Sequence, residues 1–290
     1  MAVLHSEHSL MITTPEGEKQ MVYQLWQPIA QQPKRVVICV HGLTRNSRDF
    51  DFLARELAID ALVICPDVLG RGDSDYMDDS GHYGYPLYLQ QMTQLLGFIQ
   101  QEYAPQQCDW VGTSMGGLIG MMLCATPADQ LPLTIDRLVL NDVGYFIPHK
   151  ALLRIAMYVG RKKAFDSLTE AELYLRHIAK TFGLLSDEQW QHLAKHGTQA
   201  SGDQLTLRYD TAIATAFNNV NGDIDLSPIW SQVQQAVLLV RGQESDLLLA
   251  QTAISMAEQD NVTLVEFEGV GHAPMFMDAE QINTVKHFIA

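Results

Sequence analysis

The sequence predicts an α/β chain built on a mostly parallel, doubly wound sheet and interrupted by an inserted helical block. Three observations carry this. Apolar runs of strand length, Arg35–Val40, Ala61–Cys65, Cys108–Val111 and Ile135–Leu140, alternate with helix-length segments, a spacing that implies right-handed βαβ crossovers. From about Phe146 to Ser227 the strand-like runs stop and helical patterns dominate. Beyond residue 228 the alternation resumes. The predicted organisation is therefore a core of residues 1–145 and 228–290, with residues 146–227 as a helical cap.

Taken in order, residues 8–27 read as two strands about a turn at Thr14-Pro15-Glu16-Gly17-Glu18, because Pro-x-Gly reverses the chain between β-forming arms. The run Arg35–Val40 has no polar alternation, as expected of a strand covered on both faces. It ends in His41-Gly42-Leu43-Thr44, and a helix is expected over Phe50–Ile59. The next strand, Ala61–Cys65, opens a loop rich in Gly and Asp, Pro66–Asp75. A longer helix, about Leu87–Tyr103, precedes Cys108-Asp109-Trp110-Val111.

In the insertion, Ser167-Leu168-Thr169-Glu170 has the form of a capping box opening a helix over Ala171–Phe182, and Ser186–Gln189 opens another that Gly197 closes. A third is expected over Arg208–Phe217, broken by Asn218-Asn219-Val220-Asn221-Gly222. After the insertion come the strand Ala236–Val240, a helix Ala250–Ala257, the strand Val262–Phe267 and a last helix Ala279–Ile289.

Between the third strand and its helix lies Gly112-Thr113-Ser114-Met115-Gly116-Gly117. Gly-x-Ser-x-Gly in that setting forms a sharp turn presenting the serine, with glycines where a Cβ would collide with the neighbouring segment. The following helix aims its N-terminus at the serine and favours negative charge there. A serine hydroxyl needs a base to take its proton and a third group to orient that base. His272, after the last strand, and Asp246, after the strand before it, supply both in the order Ser, Asp, His. Asp142, at the end of the strand Ile135–Leu140, is the rival acid, although Asn141-Asp142-Val143-Gly144 also reads as a turn.

These motifs, with Gly70-Arg71-Gly72-Asp73-Ser74 and Arg241-Gly242 added, resemble the cap-bearing α/β-hydrolase superfamily. The resemblance implies Ser114 as nucleophile, His272 as base and Asp246 as orienting acid, with the backbone N–H groups of Leu43 and Met115 forming an oxyanion hole. His41 and Arg45 are candidate substrate contacts, and Arg71 shares with Arg45 the candidacy for holding a substrate carboxylate. The expected activity is hydrolysis of small carboxylic esters. C–C bond hydrolysis of ring-cleavage diketones by the same residues is the alternative, and a non-catalytic ligand-binding protein is the alternative of another class. Serine at the elbow separates the chain from relatives that use aspartate there.

Composition narrows the partners. With 34 acidic and 19 basic residues the net charge is −15, which repels nucleic acid and anionic membrane. No cofactor or metal is expected, because phosphate-binding glycine fingerprints and zinc-spaced Cys/His clusters are missing. Cys39, Cys65, Cys108 and Cys124 read as free buried thiols. No stretch has the form of a signal peptide or a membrane span, so the expected location is cytoplasmic. Oligomeric state and the identity of the small-molecule ester are not legible.

Overall fold

A computed structural model describes residues 2–29, 33–218 and 221–290. The chain opens with an antiparallel hairpin of β1 (Val3–Thr14) and β2 (Gly17–Pro28), longer at both ends than the sequence suggests. There follow β3 (Arg35–Val40), α1 (Asp51–Leu57), β4 (Leu62–Pro66), α2 (Tyr85–Tyr103), β5 (Gln107–Thr113), α3 (Met115–Cys124) and β6 (Arg137–Asn141). Eight strands form one sheet. Its order is β1-β2-β4-β3-β5-β6, extended at the far edge by β12 (Ala236–Gly242) and β13 (Val262–Phe267). Pairing is parallel from β4 to β13, and β2 joins antiparallel to β4.

The apolar runs are continuous because both faces of these strands are covered. Val36, Ile38 and Val40 point into one core with α2 and α3, whereas Val37 and Cys39 point into the other with α1 and α9 (Ala279–Ile289). The period of two along a strand divides one apolar run between two cores. All four cysteines are buried and free. From β3 the chain winds outward to β4, then returns to add β5 on the other side of β3. Such a reversal opens a crevice at the carboxyl ends of the two central strands.

The segment between β6 and α7 (Ser227–Trp230) departs from the expected all-helical block. It carries α4 (His149–Ala156), α5 (Leu168–Ile178) and α6 (Asp187–Gly197), but also β7 (Phe146–Ile147) paired with β11 (Ile224–Asp225), and β8 (Ala164–Phe165), β9 (Thr198–Ser201) and β10 (Gln204–Leu207) in a small antiparallel sheet. The expected helix over Arg208–Phe217 is a 3₁₀ segment, Thr211–Phe217. Asn219 and Val220, read as part of its stop, lie outside the described residues, as does Met1. Ser186 and Gln189 make the full reciprocal capping box. At Ser167 only half is made: its hydroxyl accepts from Glu170 N, while the Glu170 carboxylate accepts from Asp166 N. The remaining helix, α8 (Ala250–Met256), lies between β12 and β13. Among the described residues no helix is long and apolar enough to cross a membrane.

Candidate active site

Ser114 sits between β5 and α3 with φ +52° and ψ −113°, a conformation that costs a non-glycine residue of order 1–3 kcal/mol and needs support from its surroundings. That support is visible. Ser114 N donates to Asn141 O at 3.0 Å, and Leu118 N donates back to Ser114 O at 3.0 Å. A Cβ on Gly112 would overlap the Gly116 carbonyl, and one on Gly116 would overlap the Val40 carbonyl. The elbow exists because glycine at both positions lets three backbone segments touch. α3 begins at Met115, so its free N–H groups converge beside the Ser114 side chain.

Ser114 Oγ donates to His272 Nε2 at 3.1 Å, and His272 Nδ1 donates to Asp142 Oδ2 at 2.8 Å. A carboxylate only accepts, so Asp142 fixes the imidazole tautomer that leaves the Nε2 lone pair for the serine. Asp142 is fully buried and accepts two further hydrogen bonds, from Gly242 N at 2.9 Å and from Ser245 Oγ at 2.6 Å. Its backbone has φ +53°, and its N–H donates to Val240 O at 2.8 Å.

This corrects the expected acid. Asp246 does not face His272: its carboxylate is half exposed and takes Arg154 of α4 in a bidentate pair, at 2.5 Å to Nε and 2.8 Å to Nη2. On the loop after β12 it is Ser245, one residue earlier, that reaches inward, and it does so as a donor to Asp142. Asp142 both turns the chain at the end of β6 and faces His272. The left-handed backbone at the end of β6 is what turns the carboxylate toward His272.

The His41-Gly42-Leu43 segment passes close to the serine, a Cβ on Gly42 standing 3.8 Å from the Ser114 Cβ. His41 is fully buried and has no ring nitrogen left for a substrate: Nδ1 donates to Gly42 O at 2.7 Å, and Nε2 accepts from Val68 N at 3.0 Å. Burial pushes its pKa down to about 4, so it stays neutral and holds the loop. Arg45 lines the cavity, with Nε and Nη2 spent on Asp49 at 2.8 and 2.5 Å.

Arg71 is not a substrate contact either. Its guanidinium is buried over the Tyr88 and Tyr83 rings, at 4.9 and 5.6 Å, and donates to Leu43 O at 2.9 Å and Leu69 O at 2.8 Å. The same group reaches Met115 Sδ at 3.7 Å. One arginine thus braces both residues proposed to supply oxyanion N–H groups. This bracing role has no local signal, since its partners lie in the loop after β3, in α2 and at the start of α3 as well as in its own loop.

Asn141 is a residue the sequence offered only as part of a turn. Its Nδ2 donates to Thr113 Oγ1 at 2.9 Å and to Pro274 O at 2.7 Å, joining the serine strand to the histidine loop. The 3₁₀ turn Lys180–Phe182 in the insertion grips the same loop: Thr181 Oγ1 donates to His272 O at 3.0 Å, and Gly271 N donates to Thr181 O at 2.7 Å.

Ser114 and His272 open into a cavity of about 120 Å³. Core loops wall it at Leu43 and Met275; the insertion walls it at Ile155, Tyr158, Tyr174 and Tyr209. Of the apolar insertion residues, Ile155 and Tyr158 face this cavity, Leu152 and Phe165 are packed inside, and Met157 is exposed.

Known proteins agree with this architecture. The profile of the alpha/beta hydrolase family matches residues 37–285. A 3-hydroxybutyrate-oligomer hydrolase of Cupriavidus necator is 38% identical over 286 residues, covering 95% of this chain and 94% of that protein. An alpha/beta hydrolase of Novosphingobium aromaticivorans superposes with a TM-score of 0.84 at 33% identity, covering 98% of each chain. E-2-(acetamidomethylene)succinate hydrolase, 21% identical over 98% of this chain and 99% of its own, has the same fold with a TM-score of 0.79.

Proposed function

This chain belongs to the alpha/beta hydrolase family, and from that premise we propose a serine hydrolase that cleaves carboxylic esters through an acyl-enzyme. The observation that carries the reading is the unbroken line of hydrogen bonds from Ser114 Oγ through His272 to buried Asp142, at 3.1 and 2.8 Å. Ser114 Oγ attacks the carbonyl carbon while His272 Nε2 takes its proton, and the imidazolium is stabilised by the Asp142 carboxylate. The Leu43 and Met115 N–H groups receive the developing oxyanion. Collapse of this intermediate passes the His272 proton to the leaving alkoxide. Water then adds to the acyl carbon, its proton taken by His272, and the acid leaves as Ser114 is restored. Residues 146–227 act as the cap, since they wall the cavity facing Ser114.

The substrate class follows from similarity. The Cupriavidus necator relative hydrolyses 3-hydroxybutyrate oligomers by name and aligns over nearly the whole of both chains. Short linear esters of hydroxy acids are therefore the proposed substrates. The tyrosines among apolar side chains on the insertion wall suit a short substrate of mixed apolar and polar groups.

The test is hydrolysis of 3-hydroxybutyrate dimer and trimer, followed by acid release, beside simple acyl esters and a vinylogous diketone acid. Ser114→Ala abolishes turnover with folding intact, and a fluorophosphonate labels Ser114 in the wild type. Retained turnover in Ser114→Ala refutes the mechanism. Turnover of the diketone alone refutes the ester assignment.

A further inference from the structure

Outside the Ser114 cavity, the described residues hold one cluster of metal-ligating side chains from different parts of the chain. Asp51 opens α1 in the core; His192 and His196 lie four residues apart on α6 in the insertion. One ligating atom from each lies within 4.8 Å of the others. The two imidazole rings stand 4.5 Å apart, and His192 Nε2 is 3.6 Å from Asp51 Oδ2. The Asp51 side chain is 5% exposed and that of His192 17%.

Two imidazoles and a carboxylate suit a borderline divalent ion, with water completing the coordination. Histidines at i and i+4 share one helix face, the spacing at which a helix presents two nitrogens to a single ion. We propose that Asp51, His192 and His196 form a site for a divalent late transition-metal ion, which pins α6 of the insertion to α1 of the core.

Arg48 sets the strength of that site. Its Nε lies 2.9 and 3.0 Å from the two Asp51 oxygens and its Nη2 lies 2.5 Å from Oδ2, so the guanidinium already neutralises the carboxylate. His192 Nε2 meanwhile donates to Arg48 O at 2.9 Å. An incoming ion competes with both contacts, which makes the site a conditional one and not a permanent structural centre.

Occupancy reaches the Ser114 cavity by a short route. The His196 carbonyl accepts from Asn46 Nδ2 at 2.8 Å. Arg45, beside Asn46, and Gly197, beside His196, both line the cavity. Clamping α6 onto α1 therefore stiffens the wall next to the Leu43 segment.

The experiment is titration of the full, tag-free chain with Zn²⁺ against a chromophoric chelator, in a buffer that does not bind zinc. One ion binds per wild-type chain. His192→Asn and His196→Asn each weaken binding about tenfold or more, whereas Arg48→Gln strengthens it. Zn²⁺ raises the melting temperature of the wild type and leaves that of His196→Asn unmoved. Circular dichroism in chelator establishes that each variant is folded, and His196→Gln stands in should His196→Asn fail to fold. Absence of one-to-one binding at about 100 μM Zn²⁺ overturns the proposal. Wild-type affinity in both histidine variants, or no gain in Arg48→Gln, overturns it too. These readouts are independent of ester hydrolysis.

Discussion

Asp142 receives three hydrogen bonds, from His272, Gly242 N and Ser245 Oγ, which together fix its carboxylate against the imidazole in one orientation. Replacing it with asparagine keeps the volume but removes the charge and the preference for one imidazole tautomer. Asp142→Asn is expected to lower kcat by about 10³–10⁴, while Asp246→Asn stays within about tenfold of wild type, because Asp246 meets only the half-exposed Arg154. Ester turnover of the two variants under one condition decides this, and the opposite ranking returns the acid to the loop after β12. Ser114 and His272 were legible because their signals are local: a glycine-flanked turn and a Gly-His step after the last strand. The acid was not. β6 and β12 are neighbours in the sheet, so the loops after both end beside His272, and the choice rests on which side chain the backbone turns inward. Positive φ at Asp142 and a serine at 245 turn the Asp142 carboxylate inward, and neither has a short-range signature.

At the scale of elements, the elbow depends on backbone contact between β3, β5 and α3, and that dependence separates two neighbouring glycines. A Cβ at Gly116 meets the Val40 carbonyl, which is locked in the central strand and cannot retreat, whereas one at Gly42 meets nothing closer than 3.8 Å. Gly116→Ala is expected to cost about 3 kcal/mol, the upper end for overpacking, and Gly42→Ala under about 1 kcal/mol. Thermal unfolding of the two variants tests this, and equal melting temperatures refute it. Elements with long uninterrupted patterns were read to the residue, as with Val262–Phe267 and Ala279–Ile289. The small strands of the insertion were missed for a physical reason. β9 and β10 are four residues each, and apart from buried Thr198 they are exposed or half-buried. Their pairing is set by the turn at Gly202, with φ +61°, not by apolar periodicity.

Across the whole molecule, buried ionisable groups oppose one another in their response to acid. Burial holds His41 down at about 4, so its contribution to stability is present above the ordinary imidazole pKa of about 6.5 and is lost as pH falls through about 4. Burial raises Asp67 and Asp109 to about 6. Theirs is present below the ordinary carboxylate value of about 3.9 and is lost as pH rises through about 6. Between these limits acidification weakens the fold through His41 and strengthens it through the two aspartates. Asp109 is the one to remove, since it lies on β5 away from the Ser114 cavity, with Gln107 Nε2 at 3.0 Å and Arg35 Nε at 3.8 Å. Asp109→Asn does not titrate. Its stability relative to wild type should therefore grow as pH rises from 4 to 6 and level off above 6, by up to about 3 kcal/mol at about 1.4 kcal/mol per pKa unit. Melting temperatures of both proteins from pH 4 to 8 measure that difference directly. A constant offset across the range means that Asp109 stays charged in the fold, and a gap that narrows with rising pH reverses the sign argued here.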